Sequence, residues 1–277
     1  AGPAAVVTDL IPDLHHFRGS YGAKDVIPLW RDRDGTVANL HQEVIEAIAN
    51  GLGVPVSPEE VLCYAYAILA NPSYVERFSE ELTIPGPRLP ITKNADVWAS
   101  AVRLGQRLVW LHTFGERMVP HGVVHGVKGL PVGAARCTRA VSEYPSGFDY
   151  DEKNQRLLVG DGVFEPVSKE VFGFSISGFP VVRSWLDYRT SRRGARRSSP
   201  LDDIQPKQWI FTEELLRLLW VLEETVKLRP QMDAVLDQVL AGPVWTAEEL
   251  PKPPEELRRP PEIKKQSTGQ LSIADGL

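Results

Sequence analysis

The chain has 277 residues, a formal charge of −5, 43% hydrophobic and 24% charged residues, the balance of an ordinary globular protein. No run of eighteen apolar residues occurs, and the opening AGPAAVVTDL lacks the basic and apolar stretches of a secretory signal, so neither a transmembrane helix nor a leader is expected. Two cysteines, Cys63 and Cys137, cannot staple a fold, which points to a reducing cytoplasm.

In chain order, residues 24–31 (KDVIPLWR) predict a short strand, with Pro28 restricting it to an edge or a bulge. From Asn39 a helical pattern carries Val44, Ile45, Ile48 and Leu52 and stops at Gly51 or Gly53. Ser57-Pro58-Glu59-Glu60 has the form of a capping box with proline at the first helical position. The helix it starts ends before Pro72, where a second short helix begins. Asn94 is placed to cap a long helix bearing Val97, Trp98, Val102, Leu108, Leu111 and His112. Residues 130–180, rich in glycine and short apolar runs, predict small strands joined by turns. A helix follows around Val181–Tyr188, then two amphipathic helices at about 212–228 and 231–241. Beyond Leu250 proline density rises and apolar periodicity is lost. The expected architecture is α+β, mostly helical with a small irregular sheet. A folded unit of 1–250 is followed by a proline-rich tail, 251–277.

The overall charge hides a segregation. Residues 1–83 carry five basic and twelve acidic side chains, residues 84–140 eight and two, residues 183–200 six and one, and residues 201–262 seven and thirteen. A polyanion responds to the local field, so the two basic blocks matter more than the total. The stretch RSWLDYRTSRRGARR at 183–197 places Arg189, Arg192, Arg193, Arg196 and Arg197 within nine residues around Gly194. Arginine grips phosphate bidentately and also matches the edge of guanine, while Ser198 and Ser199 add hydroxyl donors. With Lys128, Arg136 and Arg139 from the other block, these are the candidate nucleic-acid contacts; Arg103, Arg107 and Arg117 are secondary candidates. An alternative is that the fold mixes the blocks into a neutral surface.

Other motifs fall short of chemistry. Asn71-Pro72-Ser73-Tyr74 is similar to the Asn-Pro-Pro-Tyr loop of amino-methyltransferases but has serine for the second proline and follows a capped helix. His121 and His125 have i, i+4 spacing, yet a glycine follows each and opposes the helix that would align them on a metal. There is no nucleophile elbow, phosphate loop or dinucleotide fingerprint. No catalytic residue, metal site or cofactor is expected in this chain.

Several stretches resemble the C-terminal specificity domain of Type ISP restriction–modification enzymes. They are IPDLHHFRGSYGAKDVIPLWRDRDG at 11–35, SPEEVLCYAYAILANPSYVERFSEELTIPGPRLPIT at 57–92 and GQRLVWLHTFGERM at 105–118. SISGFPVVRSWLDYRTSRRGARRSSPLDDIQPKQWIFTEELLRLLWVLEETV at 175–226 and AGPVWTAEELP at 241–251 complete the set. The resemblance implies a target-recognition domain that binds a short asymmetric sequence in double-stranded DNA. It would hold that DNA for an adenine methyltransferase lying upstream in the parent chain. S-adenosylmethionine, ATP and magnesium would then serve the parent enzyme and not this domain. Residues 119–135 fall where such proteins vary in length, so base readers are expected in 119–150. Alternatives of other classes are a protein-interaction domain coupling methyltransferase to translocase, and a methyltransferase fragment.

Five prolines between Pro251 and Pro261 remove helix donors, so the tail contributes little to folding. Truncation after Pro251 is expected to leave the thermal midpoint within a few degrees, read by circular dichroism. Loss of cooperative unfolding would make the tail part of the core.

Overall fold

Three helix starts follow directly from side-chain capping. The computed structural model describes residues 4–12, 26–84, 88–176, 178–190 and 208–258. Helix α1 (Gln42–Leu52) closes on Gly53, whose φ of 70° is the left-handed conformation that ends helices. In α2 (Pro58–Leu69) both halves of the Ser57–Glu60 capping box are formed. Asn71 caps α3 (Pro72–Arg77), with Pro72 at the first position. Asn94 accepts from the amides of Asp96 and Val97 at 2.9 and 3.1 Å and starts α4 (Ala95–His112).

Helices α2 and α4 lie against each other so closely that a Cβ on Gly105 would sit 1.8 Å from the carbonyl oxygen of Cys63. Only glycine permits this approach. Tyr64 and Trp98 stack across the pair at 4.3 Å. The Tyr64 hydroxyl donates to the Pro90 carbonyl (2.8 Å) and accepts from the amide of Thr92 (3.0 Å), fixing the lead-in to α4.

The middle of the chain forms strands β1 (Arg136–Arg139), β2 (Phe148–Asp151), β3 (Arg156–Val159) and β4 (Gly162–Glu165) in one antiparallel sheet of order β1-β4-β3-β2. Leu157, Val159 and Phe164 point inward, completely buried. A short helix α5 (Lys169–Phe172), the two-residue strands β5 (Ser175–Ile176) and β6 (Phe179–Pro180) and helix α6 (Val181–Asp187) follow. The mixed, mainly helical α+β class is as expected.

Two expectations are corrected. Among residues 26–31 there is no strand, only a bridge between Trp30 and Ala38. Pro28 has no amide to donate, and the Asp32 carboxylate takes the amides of Thr36 and Val37 (3.0 and 2.7 Å), tightening the chain into a turn. Those bonds hold the Asp32 carboxyl down at about 2. The second correction concerns the end of the fold. One helix, α7 (Thr212–Ala241), replaces the two predicted at 212–228 and 231–241, with Pro230 inside it. Proline there costs a backbone hydrogen bond, but both halves are buried in separate cores, and that burial outweighs the local preference. Leu215, Leu219 and Leu222 pack against the sheet with α5 and α6, while Met232, Leu236 and Val239 pack against α1, α2 and α4. After α7 the chain returns to the first core: Thr92 and Val244 bridge, and Lys93 pairs with Glu249 at 2.5 Å. The tail begins with a single turn, α8 (Glu255–Arg258). Among the described residues no helix is long and apolar enough to cross a membrane.

A largely buried polar chain joins α2, α4 and α7. The Tyr66 hydroxyl meets His112 Nδ1 at 2.7 Å, His112 Nε2 meets Thr225 Oγ1 at 2.9 Å, and the Thr225 hydroxyl donates to the Val221 carbonyl at 2.8 Å. Because the Thr225 proton is committed to Val221, Nε2 must donate to Oγ1, and Nδ1 must accept from Tyr66. The imidazole is therefore neutral with a fixed tautomer, and burial pushes its pKa down to about 4. An unfolded histidine takes up a proton near pH 6.5, which the folded one refuses until about pH 4. The contribution of His112 is complete above pH 6.5 and drains away as pH falls through that window, by up to ~3 kcal/mol. Urea unfolding at pH 7 and pH 4.5 is expected to show this loss. His112→Gln, less stable at pH 7, is expected to show a clearly shallower acid dependence.

Candidate nucleic-acid interface

The predicted basic residues divide by the element that holds them. Arg192, Arg193, Arg196, Arg197, Ser198 and Ser199 lie outside the described residues. Arg189, which precedes them, stands one turn past Trp185 at the end of α6. Its guanidinium lies 4.0 Å from the Trp185 ring and 5.3 Å from the Phe211 ring, donates to the Trp185 carbonyl and pairs with Glu214 at 3.7 Å. Partial burial works against its charge, and Glu214 supports it. Arg189 thus acts as an anchor within the fold.

That anchor belongs to an aromatic cluster. Trp185 meets both Trp209 and Phe211 edge-on at 6.3 Å, Trp209 meets Phe211 at 5.3 Å, and Tyr144 from the β1–β2 connection meets Trp209 at 6.5 Å. Thr190 and Trp209 are both buried. Trp185 and Arg189 from the end of α6 and Trp209 and Phe211 from the approach to α7 are therefore packed into one base. Sequence pattern pointed to the Trp185 side of this base but not to Trp209 and Phe211, although the aromatic pair in QWIFTEE immediately before α7 was available as a signal.

Arg136 and Arg139 sit on β1, the edge of the sheet, both exposed. Arg136 donates to the carbonyls of Gly133 (2.5 Å) and Ala135 (2.8 Å) and lies 5.9 Å from the Trp220 ring. Arg139 donates to the Asp161 carbonyl in the β3–β4 turn. Lys128 is exposed on a single helical turn, Gly126–Gly129. Of the secondary candidates, Arg107 pairs with Glu224 at 3.3 Å and covers Trp110, and Arg103 is exposed beside Ser100. Arg183, which its place in the sequence did not single out, is exposed on the first turn of α6 over the Phe172 ring at 4.5 Å.

The motifs set aside as decoys are explained. Asn71 is a buried helix cap, and Tyr74 is buried with its hydroxyl donating to the Arg88 carbonyl, so neither can hold a flipped base. Gly122 and Gly126 take φ of 78° and 75°, which breaks any helix between His121 and His125, and both histidines are exposed. His125 faces Glu116 at 3.4 Å. Among the described residues no group of three His, Cys, Asp or Glu side chains converges to hold a metal.

One acidic residue organises the basic strand. Glu223 of α7, almost fully buried, accepts from the amides of Ala134 (2.6 Å) and Ala135 (3.0 Å). Beside it the Trp220 indole donates to the Ala135 carbonyl at 2.9 Å, and a Cβ on Gly133 would lie 2.2 Å from Glu223 Oε2. The segment leading into β1 is therefore clamped onto the helix by three bonds. A signal existed in the sequence: Glu223 stands four residues after Leu219 on the helix face that buries leucines. Glu223→Gln can satisfy only one of the two amides and turns an NH2 group toward the other. It is expected to cost about 1–3 kcal/mol in urea unfolding.

Two solved structures share the fold. A cryoEM structure of a DrdV–DNA complex aligns with a TM-score of 0.57 at 15% identity, covering 89% of this chain and 24% of that one. The ATP-dependent Type ISP restriction–modification enzyme LlaBIII bound to DNA aligns with a TM-score of 0.52 at 16% identity, covering 89% and 15%. The chain thus spans a quarter or less of the length of either structure. Comparison with curated proteins returns no match. The model for the Type ISP C-terminal specificity domain matches residues 1–219, which contain both basic blocks, the aromatic base and the sheet. On that match, the chain belongs to the Type ISP C-terminal specificity domain family.

Proposed function

We propose that this chain is the target-recognition module of a single-chain restriction–modification enzyme, binding double-stranded DNA and holding it for an adenine methyltransferase in the same parent protein. Family membership supports recognition as its task, and both structural neighbours are DNA complexes. The observation that carries the reading is the aromatic base. The arginine-rich stretch 191–207 is flanked in the sequence by two pieces of this base, Trp185 and Arg189 before it and Trp209 and Phe211 after it. On this reading its cations act together with exposed Lys128, Arg136, Arg139 and Arg183, which add charge from elements of the same fold.

Binding then divides into two tasks. Arg192, Arg193, Arg196 and Arg197, with Ser198 and Ser199, contact phosphates and set register. Side chains held rigidly near the groove read the bases. In the parent enzyme this grip offsets part of the cost of unstacking the target adenine. Methyl transfer, cleavage and ATP hydrolysis, with their S-adenosylmethionine, magnesium and ATP, belong on this reading to other parts of the parent chain, in the cytoplasm. The folded module is residues 1–250, and the remainder is an appended tail.

Removing one phosphate-bound cation should lower the slope of log affinity against log salt by ~0.9. Replacing Arg192, Arg193, Arg196 and Arg197 by alanine is expected to flatten that slope by up to ~3–4 and to weaken cognate and scrambled duplexes by similar factors. Fluorescence anisotropy across a salt series checks this. An unchanged slope removes the phosphate grip, and weakening confined to the cognate duplex makes one of these arginines a base reader.

A further inference from the structure

Arg136 differs from the other cations of the fold in how it is held. Its Nη1 donates to two carbonyls at once, those of Gly133 (2.5 Å) and Ala135 (2.8 Å), and its guanidinium lies 5.9 Å from the Trp220 ring. Those carbonyls are themselves fixed. The Trp220 indole donates to the Ala135 carbonyl at 2.9 Å, and the Glu223 carboxylate accepts from the amides of Ala134 and Ala135. Gly133 lies so close to α7 that a Cβ there would meet Glu223 Oε2 at 2.2 Å and Trp220 Cδ1 at 2.6 Å. The support for Arg136 is therefore a short backbone segment pinned to a helix whose neighbouring Leu219 and Leu222 are buried in the sheet core.

Arginines held elsewhere in the fold share their charge with a carboxylate: Arg107 with Glu224, Arg156 with Glu165 and Arg189 with Glu214. Arg136 is exposed and, among the described residues, has no acidic partner. Its charge is thus fixed in position yet uncompensated. The exposed cations Arg139 and Arg183 are less constrained, the first donating to the Asp161 carbonyl and the second lying over the Phe172 ring. With Nη1 engaged, the Arg136 guanidinium keeps the parallel donors on Nε and Nη2, an edge that matches two oxygens of one phosphate.

Resting on the DNA-binding reading above, we propose that Arg136 is a preset contact for a DNA phosphate and that Trp220 and Glu223 are its positioning residues. Phosphate is the ligand because it lines the outside of the duplex, where a single exposed cation on the edge strand of a sheet meets it without entering a groove. Order imposed by folding need not be imposed by binding. Freezing a long side chain at an interface weakens affinity about two- to tenfold, a loss that an arginine already held on its carbonyls avoids.

The test measures this chain on two duplexes of unrelated sequence by fluorescence anisotropy across a salt series, with folding of each variant checked by circular dichroism. Arg136→Ala is expected to lower the salt slope by ~0.9, one phosphate contact, and to weaken both duplexes by similar factors. Arg136→Lys keeps the charge but not the fork, and is expected to retain the slope while binding about two- to tenfold more weakly. Glu223→Gln and Trp220→Phe leave every cation in place and are each expected to weaken binding within that range at an unchanged slope. They loosen different bonds, so either one serves if the other fails to fold. In an Arg136→Ala background neither is expected to weaken binding further, whereas their effects are expected to persist in an Arg139→Ala background. A merely structural loss would carry through both. Equal binding by Arg136→Lys and wild type, or an undiminished effect of both α7 variants without Arg136, overturns the assignment while leaving salt-dependent DNA binding intact. Absence of any DNA binding by the wild type at low salt overturns the target-recognition reading and this assignment with it.

Discussion

Helix α7 is the constraint on which the remainder of the structure depends. Two hydrophobic cores, one of helices and one of sheet with short helices, share among the described residues no other element that is buried in both. The first half of α7 closes the sheet core through Leu215, Leu219 and Leu222, and the second half closes the helical core through Met232, Leu236 and Val239. Each fully buried leucine contributes about 1.5–3 kcal/mol, so the helix gains far more from the two cores than Pro230 costs it. Its polar residues link the cores to their surroundings. Thr225 ends the buried chain that begins at Tyr66, and Glu223 holds the entry to β1.

The same helix decides how much of the basic charge remains available. The acidic block at 201–262 is in part the side chains of α7, and these meet the basic blocks in the fold: Glu224 takes Arg107 and Glu214 takes Arg189. Exposed pairs of this kind add little to stability. Their consequence is electrostatic, since they cancel selected cations. Lys128, Arg136, Arg139 and Arg183 are exposed outside those pairs, and the four arginines beyond Thr190 follow from a base whose own arginine is already neutralised. The alternating charge blocks of the sequence are thus mixed only partly.

Two local assemblies are built on this frame. The aromatic base of Trp185, Trp209, Phe211 and Arg189 joins the end of α6 to the approach to α7. The connection at 114–132 is instead held by close backbone contacts that only glycine permits at residues 115 and 129. Both pack against α7, which therefore sets their common frame.

The sequence by itself determined the local features. Ser57, Asn71 and Asn94 cap their helices because a short side-chain acceptor reaches amides two or three residues ahead, an interaction complete within one turn. The strands at 156–165 and the glycine-broken spacing of His121 and His125 were legible for the same reason. Family likeness was legible too, since it rests on strings of residues and not on their contacts. Tertiary structure alone decided whether Pro230 ended a helix, because the burial that overrides it comes from residues more than a hundred positions away. It decided that residues 26–31 form no strand, since the chain turns back at Asp32 and pairs only through the single bridge of Trp30 with Ala38. It also decided which arginines are committed internally, because Glu214 and Glu224 reach Arg189 and Arg107 only once α7 is laid across the sheet and the helices, a placement fixed by burying leucines and not by charge.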